Sequence, residues 1–262
     1  AQFFRSPAVK HQLKKRWGQH FLTDTNLLKK IVRIVSPDPS DSILEIGPGG
    51  GALTELLAPL VNDLVGVEVD RELCHSLQQN GKLGNCTFLN ADFLRLDLTQ
   101  LPFEGNRIRA MGNIPYNITS PIIFKLLESP ERWTDIHIMV QKEVADRLTA
   151  PTGTRSYGRL TVMVGVVMDV KYELTVPPEV FVPRPKIDSA VVSLKYHGRF
   201  EEEKETMDVF REIVRHSFSQ RRKMLRNSLA EYVSNRKVDI DLNRRPETLS
   251  VDEFMDLARS LT

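Results

Sequence analysis

Residues 42–52 read SILEIGPGGGA, an apolar run that ends at Gly47 and is followed by Pro48, three further glycines and Ala52. Glycines tolerate positive φ angles and let a ligand approach bare backbone, while the amides that open a helix attract electronegative groups. A strand, a glycine turn and a helix in this order are typical of nucleotide-binding α/β folds. The stretch therefore predicts a strand–turn–helix unit that holds a nucleoside or nucleotide.

Outward from this turn, short β-rich runs alternate with helix-like segments, which is the pattern of parallel βαβ units. Seven strands are predicted, at 42–47, 64–69, 86–90, 107–113, 135–141, 172–176 and 189–196. Helices are predicted to begin near Ala52, Arg71, Ser120, Lys142 and Tyr157. The segment before the last strand, PPEVFVPRPKIDS, is too rich in proline for a crossover helix. An α/β fold is expected, with a mostly parallel sheet whose last strand is antiparallel.

The C-terminal part of the chain has a different pattern. Residues 198–208 are charged and almost free of apolar side chains, which indicates a linker. Three amphipathic helices are predicted after it, within 209–218, 222–233 and 251–261. We therefore expect a sheet-bearing domain at 1–197 and a small helical domain at 198–262.

The formal net charge of +2 hides two basic segments. Residues 1–33 hold eight Lys or Arg against one acidic residue, and residues 211–245 hold ten against four. Clustered Lys and Arg contact phosphates, so the two segments could form one surface for a polyanion. Two solvated basic helix faces explain the charge equally well.

Other features of the composition narrow the class of protein. Cys74 and Cys86 have no Cys or His partners at metal-ligand spacing, so reduced thiols and no metal site are expected. No apolar run reaches the roughly 18 to 20 residues of a membrane span, and the basic start lacks an apolar signal core. A cytoplasmic protein is expected, or one of an organellar matrix or stroma if a presequence precedes Ala1.

Two acidic residues follow the glycine turn at positions that suit a nucleoside. Glu68 ends the second predicted strand, where a carboxylate could accept hydrogen bonds from ribose hydroxyls. Gly47, Gly49 and Ala52 also fit G-x-G-x-x-A, so a dinucleotide-dependent dehydrogenase is an alternative. Asp92 follows the third strand and could accept the amine of an adenine, or merely cap a turn. These residues serve one nucleoside with no second half-site, which favours S-adenosylmethionine.

The fourth strand ends in Asn113-Ile114-Pro115-Tyr116, which predicts a site for a flat nitrogenous ring. An adenine amine is a poor nucleophile because its lone pair is conjugated with the ring. Hydrogen bonds to the Asn113 side-chain oxygen and the Ile114 carbonyl would draw the nitrogen toward a tetrahedral shape, while Pro115 keeps the backbone extended. Tyr116 would stack on the base. The alternative is a turn that packs its tyrosine in the core.

Eight segments, in chain order, resemble the KsgA-type ribosomal RNA adenine N6-dimethyltransferases. They are GQHFLTD (18–24), EIGPGGG (45–51), VEVD (67–70), NIPYNITSP (113–121), QKEVADRL (141–148), YGRLTV (157–162), PPEVFVPRPKIDSAVV (177–192) and SFSQRRKMLRNSL (217–229). The resemblance implies a Rossmann-like class I methyltransferase that acts as a monomer. It also implies transfer of two methyl groups from S-adenosylmethionine to each of two adjacent adenosines near the 3′ end of small-subunit ribosomal RNA, during late subunit assembly.

The resemblance also implies roles for individual residues. Cofactor contacts fall on His20, Leu22, Gly47, Gly49, Glu68, Asp92 and Asn113, with S-adenosylhomocysteine as the product. Phe181 is similar to a second aromatic that closes on the base opposite Tyr116, with core packing beside a proline loop as the alternative. Contacts to RNA fall on Arg184, Lys186 and the basic helix that contains Arg221, Arg222, Lys223 and Arg226. The family usually has Asn where this chain has His20.

Three other functions fit parts of the sequence. An Erm-type methyltransferase of large-subunit RNA shares the core chemistry, but SFSQRRKMLRNSL and the basic N-terminal segment favour the KsgA type. An assembly or transcription factor could keep the fold and work by binding alone, because fold does not fix function. A dehydrogenase would use the same glycine turn for a dinucleotide.

Overall fold

The computed structural model describes residues 20–103, 108–234 and 236–262. The basic residues before His20 that were predicted to join a polyanion surface lie outside this part of the chain. Strands within the described residues are β1 Phe21–Leu22, β2 Ser42–Ile46, β3 Asp63–Glu68, β4 Cys86–Asn90, β5 Ile108–Asn113, β6 Trp133–Gln141, β7 Met168–Val176, β8 Phe181–Val182 and β9 Ser189–Tyr196.

Seven of these strands form one sheet, in the order β4-β3-β2-β5-β6-β9-β7. Strands β2 to β6 pair in parallel, and β9 is antiparallel to both of its neighbours, β6 and β7. The predicted seven-stranded α/β sheet with an antiparallel last strand is therefore confirmed. Because β2, β3, β4 and β5 are parallel, their carboxyl ends meet at one edge of the sheet.

Helices in the described residues cover the sheet and build the C-terminal region. They are α1 Thr25–Val35, α2 Thr54–Leu57, α3 Arg71–Gln78, α4 Thr119–Leu126, α5 Lys142–Leu148, α6 Arg159–Gly165, α7 Lys204–Ser219, α8 Leu225–Ser228, α9 Ala230–Val233 and α10 Val251–Arg259. The helix predicted from Ala52 is short, because a 3₁₀ turn that contains Pro59 replaces it after Leu57. None of the described helices has both the length and the apolar content that crossing a membrane requires.

Two predictions about the C-terminal region are wrong. The charged segment 198–208 is not a linker throughout, since α7 begins at Lys204 and buries Met207. Glu203, in the same segment, accepts hydrogen bonds of 2.7 and 2.8 Å from Arg259 of α10, which ties the segment to the C-terminal helix. The predicted helix at 222–233 is two short helices, and Arg221 lies in the turn before them.

The C-terminal helices share a hydrophobic core with a helix from the sheet-bearing part. Phe210 of α7 and Phe254 of α10 are fully buried, and their rings meet edge to face at 6.5 Å. Val162 and Val166, at α6, belong to the same cluster. The apolar face of α7 therefore packs on α6, which agrees with its helical period. The boundary at residue 198 stays a prediction.

A second, two-stranded sheet brings the start of the described chain to the edge where the parallel strands end. In it β1 pairs with β8 in antiparallel register, with Leu22 opposite Phe181. The backbone amide of Thr23 also donates to the Val180 carbonyl at 2.9 Å. The segment that contains His20 is thereby tied to the loop that precedes β9.

Candidate active site

The carboxyl ends of β2 to β5 open into a cavity of about 660 Å³. A cavity of this size suits a nucleoside cofactor together with part of a second ligand. Ten residues that the sequence assigned to the site line it, namely His20, Leu22, Gly47, Gly49, Glu68, Asp92, Asn113, Ile114, Pro115 and Tyr116. Residues distant in sequence are thus gathered at one edge of the sheet.

The glycine turn after β2 has the backbone that its sequence predicts. Gly47 and Gly49 have φ angles of 67° and 59°, in the left-handed region that other residues avoid. A Cβ atom on Gly49 would lie 2.7 Å from the Phe21 ring, which packs on the turn. Phe21 was not predicted as a site residue, although its place between two predicted cofactor contacts, His20 and Leu22, indicates one.

Glu68 is buried at the end of β3 and accepts two backbone hydrogen bonds. One carboxylate oxygen accepts from the Gly49 amide and the other from the Asp70 amide, both at 2.9 Å. Burial raises the pKa of Glu68, and the two amides oppose that rise. The carboxylate is therefore fixed beside the glycine turn, and each oxygen keeps a further lone pair for a ribose hydroxyl.

A second acid, Glu45, lies next to this site on β2 and is 2% exposed. Its carboxylate accepts a hydrogen bond of 2.7 Å from the Thr54 hydroxyl. Burial raises the pKa of Glu45 to about 7, and the charge of nearby Glu68 adds to the rise. Glu45 was not predicted as a site residue, although an acidic residue inside an apolar strand is unusual and indicates a functional position.

Asp92 lies at the cavity and also caps a turn, while its contact with an adenine amine stays a prediction. One carboxylate oxygen accepts from the Leu94 amide at 3.0 Å, which caps the 3₁₀ turn Phe93–Arg95. The other oxygen lies 3.6 Å from the Arg95 guanidinium, on the exposed side. The cap fixes the orientation of the carboxylate at the cavity edge.

The segment after β5 presents acceptors to the cavity. The side-chain amide of Asn113 donates to the His20 carbonyl at 2.7 Å, which fixes Nδ2 and leaves Oδ1 as the acceptor. The Ile114 amide donates to the Met139 carbonyl at 3.0 Å, while no described residue donates to the Ile114 carbonyl. Pro115 has φ −56° and ψ 131°, an extended backbone. Both acceptors that the sequence predicts are therefore available to a donor.

Tyr116 is half-buried at the cavity, and its ring contacts a second aromatic ring. Its hydroxyl lies 2.6 Å from the Ser189 Oγ atom, a hydrogen bond that anchors the ring edge. Burial raises the pKa of Tyr116, so the phenol stays neutral near pH 7. The imidazole of His20 stacks on the ring, with centroids 5.2 Å apart and an interplanar angle of 24°. The alternative of a tyrosine packed in the core is not what the structure shows.

Phe181, which was predicted to close on the base opposite Tyr116, packs in the core. It is 2% exposed and belongs to a core cluster with Leu22 and Val191, and it is not among the described residues that line the cavity. Its place on β8, paired with β1, turns the ring into the core. The contact of Phe181 with the target base stays a prediction, and His20 is the described ring that stacks on Tyr116 in this structure.

The residues predicted to contact RNA lie on two different elements. Arg184, which pairs with Glu179, and Lys186 are exposed on the loop between β8 and β9. Arg222, Lys223 and Arg226 are exposed between α7 and the end of α8. They do not form the basic helix predicted from sequence, because 221–223 is a turn. The guanidinium of Arg221 donates to the Arg155 carbonyl at 2.6 Å, so part of its binding capacity is used within the protein.

Two further cavity residues gave no signal in the sequence. His137 and Met139, on β6, line its inner end. Both side chains are largely buried, and the His137 Nε2 atom lies 3.3 Å from Asp135. Alternate residues of a strand share one face, but the sequence does not say which face of β6 meets a cavity.

Comparison with known proteins agrees with this geometry. The family model described as "Ribosomal RNA adenine dimethylase" matches residues 10–262. Ribosomal RNA small subunit methyltransferase A of Shewanella oneidensis is 42% identical over 252 residues, which cover 95% of this chain and 94% of the relative. The protein of the same name from Francisella tularensis subsp. novicida is 42% identical over 260 residues, 97% of this chain and 99% of the relative.

Two solved structures share the fold over most of the chain. A dimethyladenosine transferase from Plasmodium falciparum has a TM-score of 0.75 at 25% identity, covering 91% of this chain and 96% of that chain. The 23S rRNA methyltransferase ErmE has a TM-score of 0.74 at 26% identity, covering 92% and 99%. Since the family model spans residues 10–262 and the relatives are 42% identical over nearly their whole length, the chain belongs to the ribosomal RNA adenine dimethylase family.

Proposed function

We propose that this protein transfers methyl groups from S-adenosylmethionine to the N6 amines of two adjacent adenosines near the 3′ end of small-subunit ribosomal RNA, giving dimethyladenosines. The observation that carries the proposal is the placement of Asn113, Ile114 and Tyr116 at the cavity, where two acceptors and one aromatic ring converge. The names of the 42% identical relatives support the small subunit as the source of the RNA.

The residues at the glycine turn suit the cofactor. Gly47 and Gly49 leave bare backbone at the cavity, Glu68 offers carboxylate lone pairs to ribose hydroxyls, and Asp92 offers an acceptor to an adenine amine. When bound, S-adenosylmethionine supplies an electrophilic methyl group. The charge on its sulfur also suits a cavity lined by two acidic side chains, Glu45 and Glu68.

Asn113 and Ile114 then orient the target amine. Its two N–H groups donate to the Asn113 Oδ1 and the Ile114 carbonyl, which localises the nitrogen lone pair and directs it away from both acceptors. Well-oriented reactants gain about 7–11 kcal/mol over a bimolecular encounter. The nitrogen would form the new C–N bond as the bond between the methyl carbon and the cofactor sulfur breaks, with S-adenosylhomocysteine as the leaving group. The resulting cation would lose its proton to water, so no strong base is needed at Asn113 or Tyr116.

The target adenosine must leave its stack before it reaches Tyr116, at a cost of a few kcal/mol. Stacking on the Tyr116 ring offsets part of this cost, by about 1–3 kcal/mol. Exposed Arg184, Lys186, Arg222 and Lys223 would hold the flanking phosphates. We expect the protein to act as a monomer, in the compartment where the small subunit assembles.

The test is methylation of precursor small and large subunits with labelled cofactor, followed by mass spectrometry of the modified nucleotides. We expect label in adjacent adenosines of small-subunit RNA and at least a hundredfold loss of rate in Asn113→Ala, since the loss of one oriented donor or acceptor typically costs about 10²–10³ in rate. An unchanged rate in Asn113→Ala would exclude the mechanism.

The likeness to ErmE keeps methylation of large-subunit RNA as a second candidate. Label confined to large-subunit RNA would favour that candidate over ours. A wild-type protein that binds small-subunit RNA without methylating it would instead support a binding factor. Calorimetry with S-adenosylhomocysteine and with NAD tests the cofactor, because a dehydrogenase would bind NAD and not the nucleoside.

A further inference from the structure

The imidazole of His20 covers one face of the Tyr116 ring at the mouth of the cavity. The two ring centroids are 5.2 Å apart and the planes differ by 24°. The proposed function, on which this inference rests, assigns the face of Tyr116 to the target base. In the protein without RNA, a flat nitrogen-containing ring of the chain itself therefore lies on the surface that a base would use.

The spacing of the two rings leaves no room for a base between them. A base that is sandwiched must contact a ring on each of its faces, which needs a wider separation of the outer rings than a directly contacting pair has. At 5.2 Å, the His20 and Tyr116 rings are already in van der Waals contact as an offset pair. Tyr116 is also fixed at its other end by the hydrogen bond with Ser189, at 2.6 Å. His20 is the ring that has to move.

We infer that the His20 imidazole holds the place of the target base on Tyr116 in the free enzyme and leaves when the base enters. The residue regulates occupancy of the base site, and it is a positioning residue, distinct from the groups that touch the reacting amine.

The contacts of His20 fit a side chain that moves while its backbone stays. Within the described residues the ring has one hydrogen bond, from Nδ1 to the Pro183 carbonyl at 2.7 Å, at the protein surface. The backbone carbonyl of His20 accepts the Asn113 amide at 2.7 Å, independently of the ring. Rotation of the imidazole therefore releases the face of Tyr116 without disturbing the residue that orients the amine.

The position of Pro183 links this movement to RNA. The loop that contains it carries Arg184 and Lys186, which are exposed, and β8 just before it pairs with β1 beside His20. RNA whose phosphates contact this loop would lie next to the hydrogen bond between the His20 ring and the Pro183 carbonyl. The base and the imidazole compete for one face of one ring.

Competition can be measured by adenosine binding to the full chain saturated with S-adenosylhomocysteine. We expect His20→Ala and His20→Asn to bind adenosine between about twofold and tenfold more tightly than wild type, the range that corresponds to one lost aromatic pair. His20→Phe, which keeps a ring, should not bind more tightly. Weaker binding in both His20→Ala and His20→Asn would overturn the inference and make His20 a fixed wall of the site.

Nuclear magnetic resonance gives a direct readout in the wild type. The His20 ring protons should show an upfield ring-current shift from Tyr116, which adenosine reverses as the imidazole leaves. A further upfield shift on adding adenosine would mean that His20 stays stacked, and would overturn the inference. A cooperative urea unfolding transition like that of the wild type confirms that each variant is folded.

A Tyr116→Leu variant separates this inference from the proposed function. If Tyr116→Leu binds adenosine as tightly as wild type, the proposed base site is wrong. If Tyr116→Leu weakens adenosine binding while His20→Ala leaves it unchanged, the base site stands and the place-holding role of His20 is wrong.

Discussion

At the scale of single residues, the glycine turn shows how a missing side chain shapes the cavity. Gly49 is restricted twice, because its φ is 59° and because a Cβ would meet the Phe21 ring at 2.7 Å. Gly50 is next to it in sequence, yet a Cβ there would meet nothing within 4 Å. The structure therefore requires glycine at position 49 but not at position 50, and the sequence motif alone does not distinguish the two positions.

We predict that Gly49→Ala lowers the affinity for S-adenosylhomocysteine at least tenfold and destabilises the protein by about 1–2 kcal/mol, through left-handed strain and displacement of Phe21. Calorimetry and urea unfolding measure the two effects. Gly50→Ala is the matched control and should change both by little. Equal effects of the two substitutions would show that neither the left-handed backbone of Gly49 nor its contact with Phe21 matters.

Glu45 has a protonation equilibrium near neutral pH, which couples stability to pH. Burial raises its pKa from 4.5 to about 7, so the folded state keeps a proton that the unfolded chain releases above its ordinary pKa. For an acid with a raised pKa, stability falls as pH rises from about 4.5 to 7 and is constant above that range. At pH 8 the raised pKa of Glu45 therefore lowers the free energy of unfolding by about 3 kcal/mol relative to acid pH.

We therefore predict that the unfolding free energy of Glu45→Gln minus that of wild type increases by about 3 kcal/mol as the pH rises from 4.5 to 8. Urea unfolding of both proteins at the two pH values measures this difference. Glu55→Gln removes an exposed carboxylate of α2 and serves as the control. A difference between Glu45→Gln and wild type that does not depend on pH would contradict the prediction.

At the scale of secondary-structure elements, Arg109 connects three of them. From β5 its guanidinium donates to Asp135 on β6 at 2.7 and 2.8 Å and to Asp41 before β2 at 2.7 Å. It also donates to the Val35 carbonyl at the end of α1, at 2.6 Å. Burial alone would raise the pKa of Asp135, but the hydrogen bonds and charges of His137 and Arg109 outweigh it and lower the pKa to about 2.

Arg109→Met should destabilise the protein by about 3 kcal/mol at pH 7, because it leaves two partly buried carboxylates without their cation. The loss should shrink in an Asp135→Asn background, which a double-mutant cycle by urea unfolding measures. Arg211→Met removes an exposed pair with Asp208 and should cost less than about 1 kcal/mol. Similar losses for Arg109→Met and Arg211→Met would contradict the prediction.

The lowered pKa of Asp135 also sets a direction at acid pH. An acid whose pKa is depressed in the folded state stabilises the protein above its ordinary pKa of 3.8, and that contribution is lost as pH falls toward about 2. The contribution is therefore fully present over the pH range in which RNA methylation would be assayed.

At the scale of the whole molecule, the basic residues near the C-terminal helices differ in availability. Arg222 and Lys223 are exposed, whereas Arg221 donates to the Arg155 carbonyl and joins the turn after α7 to the segment before α6. The three residues look equivalent in sequence. Their partners in the folded protein divide them into two available cations and one that also stabilises the fold.

We predict that Arg222→Ala with Lys223→Ala weakens RNA binding and lowers the slope of log affinity against log salt by about 0.7–0.9 per lost phosphate contact. S-adenosylhomocysteine affinity should not change. Arg221→Ala should in addition cost about 1 kcal/mol of unfolding free energy, through its hydrogen bond. Lys171→Ala, an exposed lysine of β7, is the control. An unchanged salt slope would mean that Arg222 and Lys223 do not contact phosphate.

Much of this architecture is local in origin and could be predicted. The strands at 42–46 and 86–90, the turn at Gly47 and the antiparallel last strand follow from hydrophobic period, glycine φ preference and the proline-rich segment before β9. Each of these signals acts within a few residues along the chain. The order of the polar residues at the strand ends could also be predicted from such local signals.

The sequence by itself thus determined the sheet, the glycine turn and the set of residues at the strand ends. The tertiary structure decided which ring faces Tyr116, that Phe181 is buried under β1, and that Arg221 is engaged with Arg155. Those outcomes depend on contacts between residues far apart in the chain, such as the pairing of Leu22 with Phe181. A periodic pattern shows which residues share a face, but it does not show which distant surface that face meets.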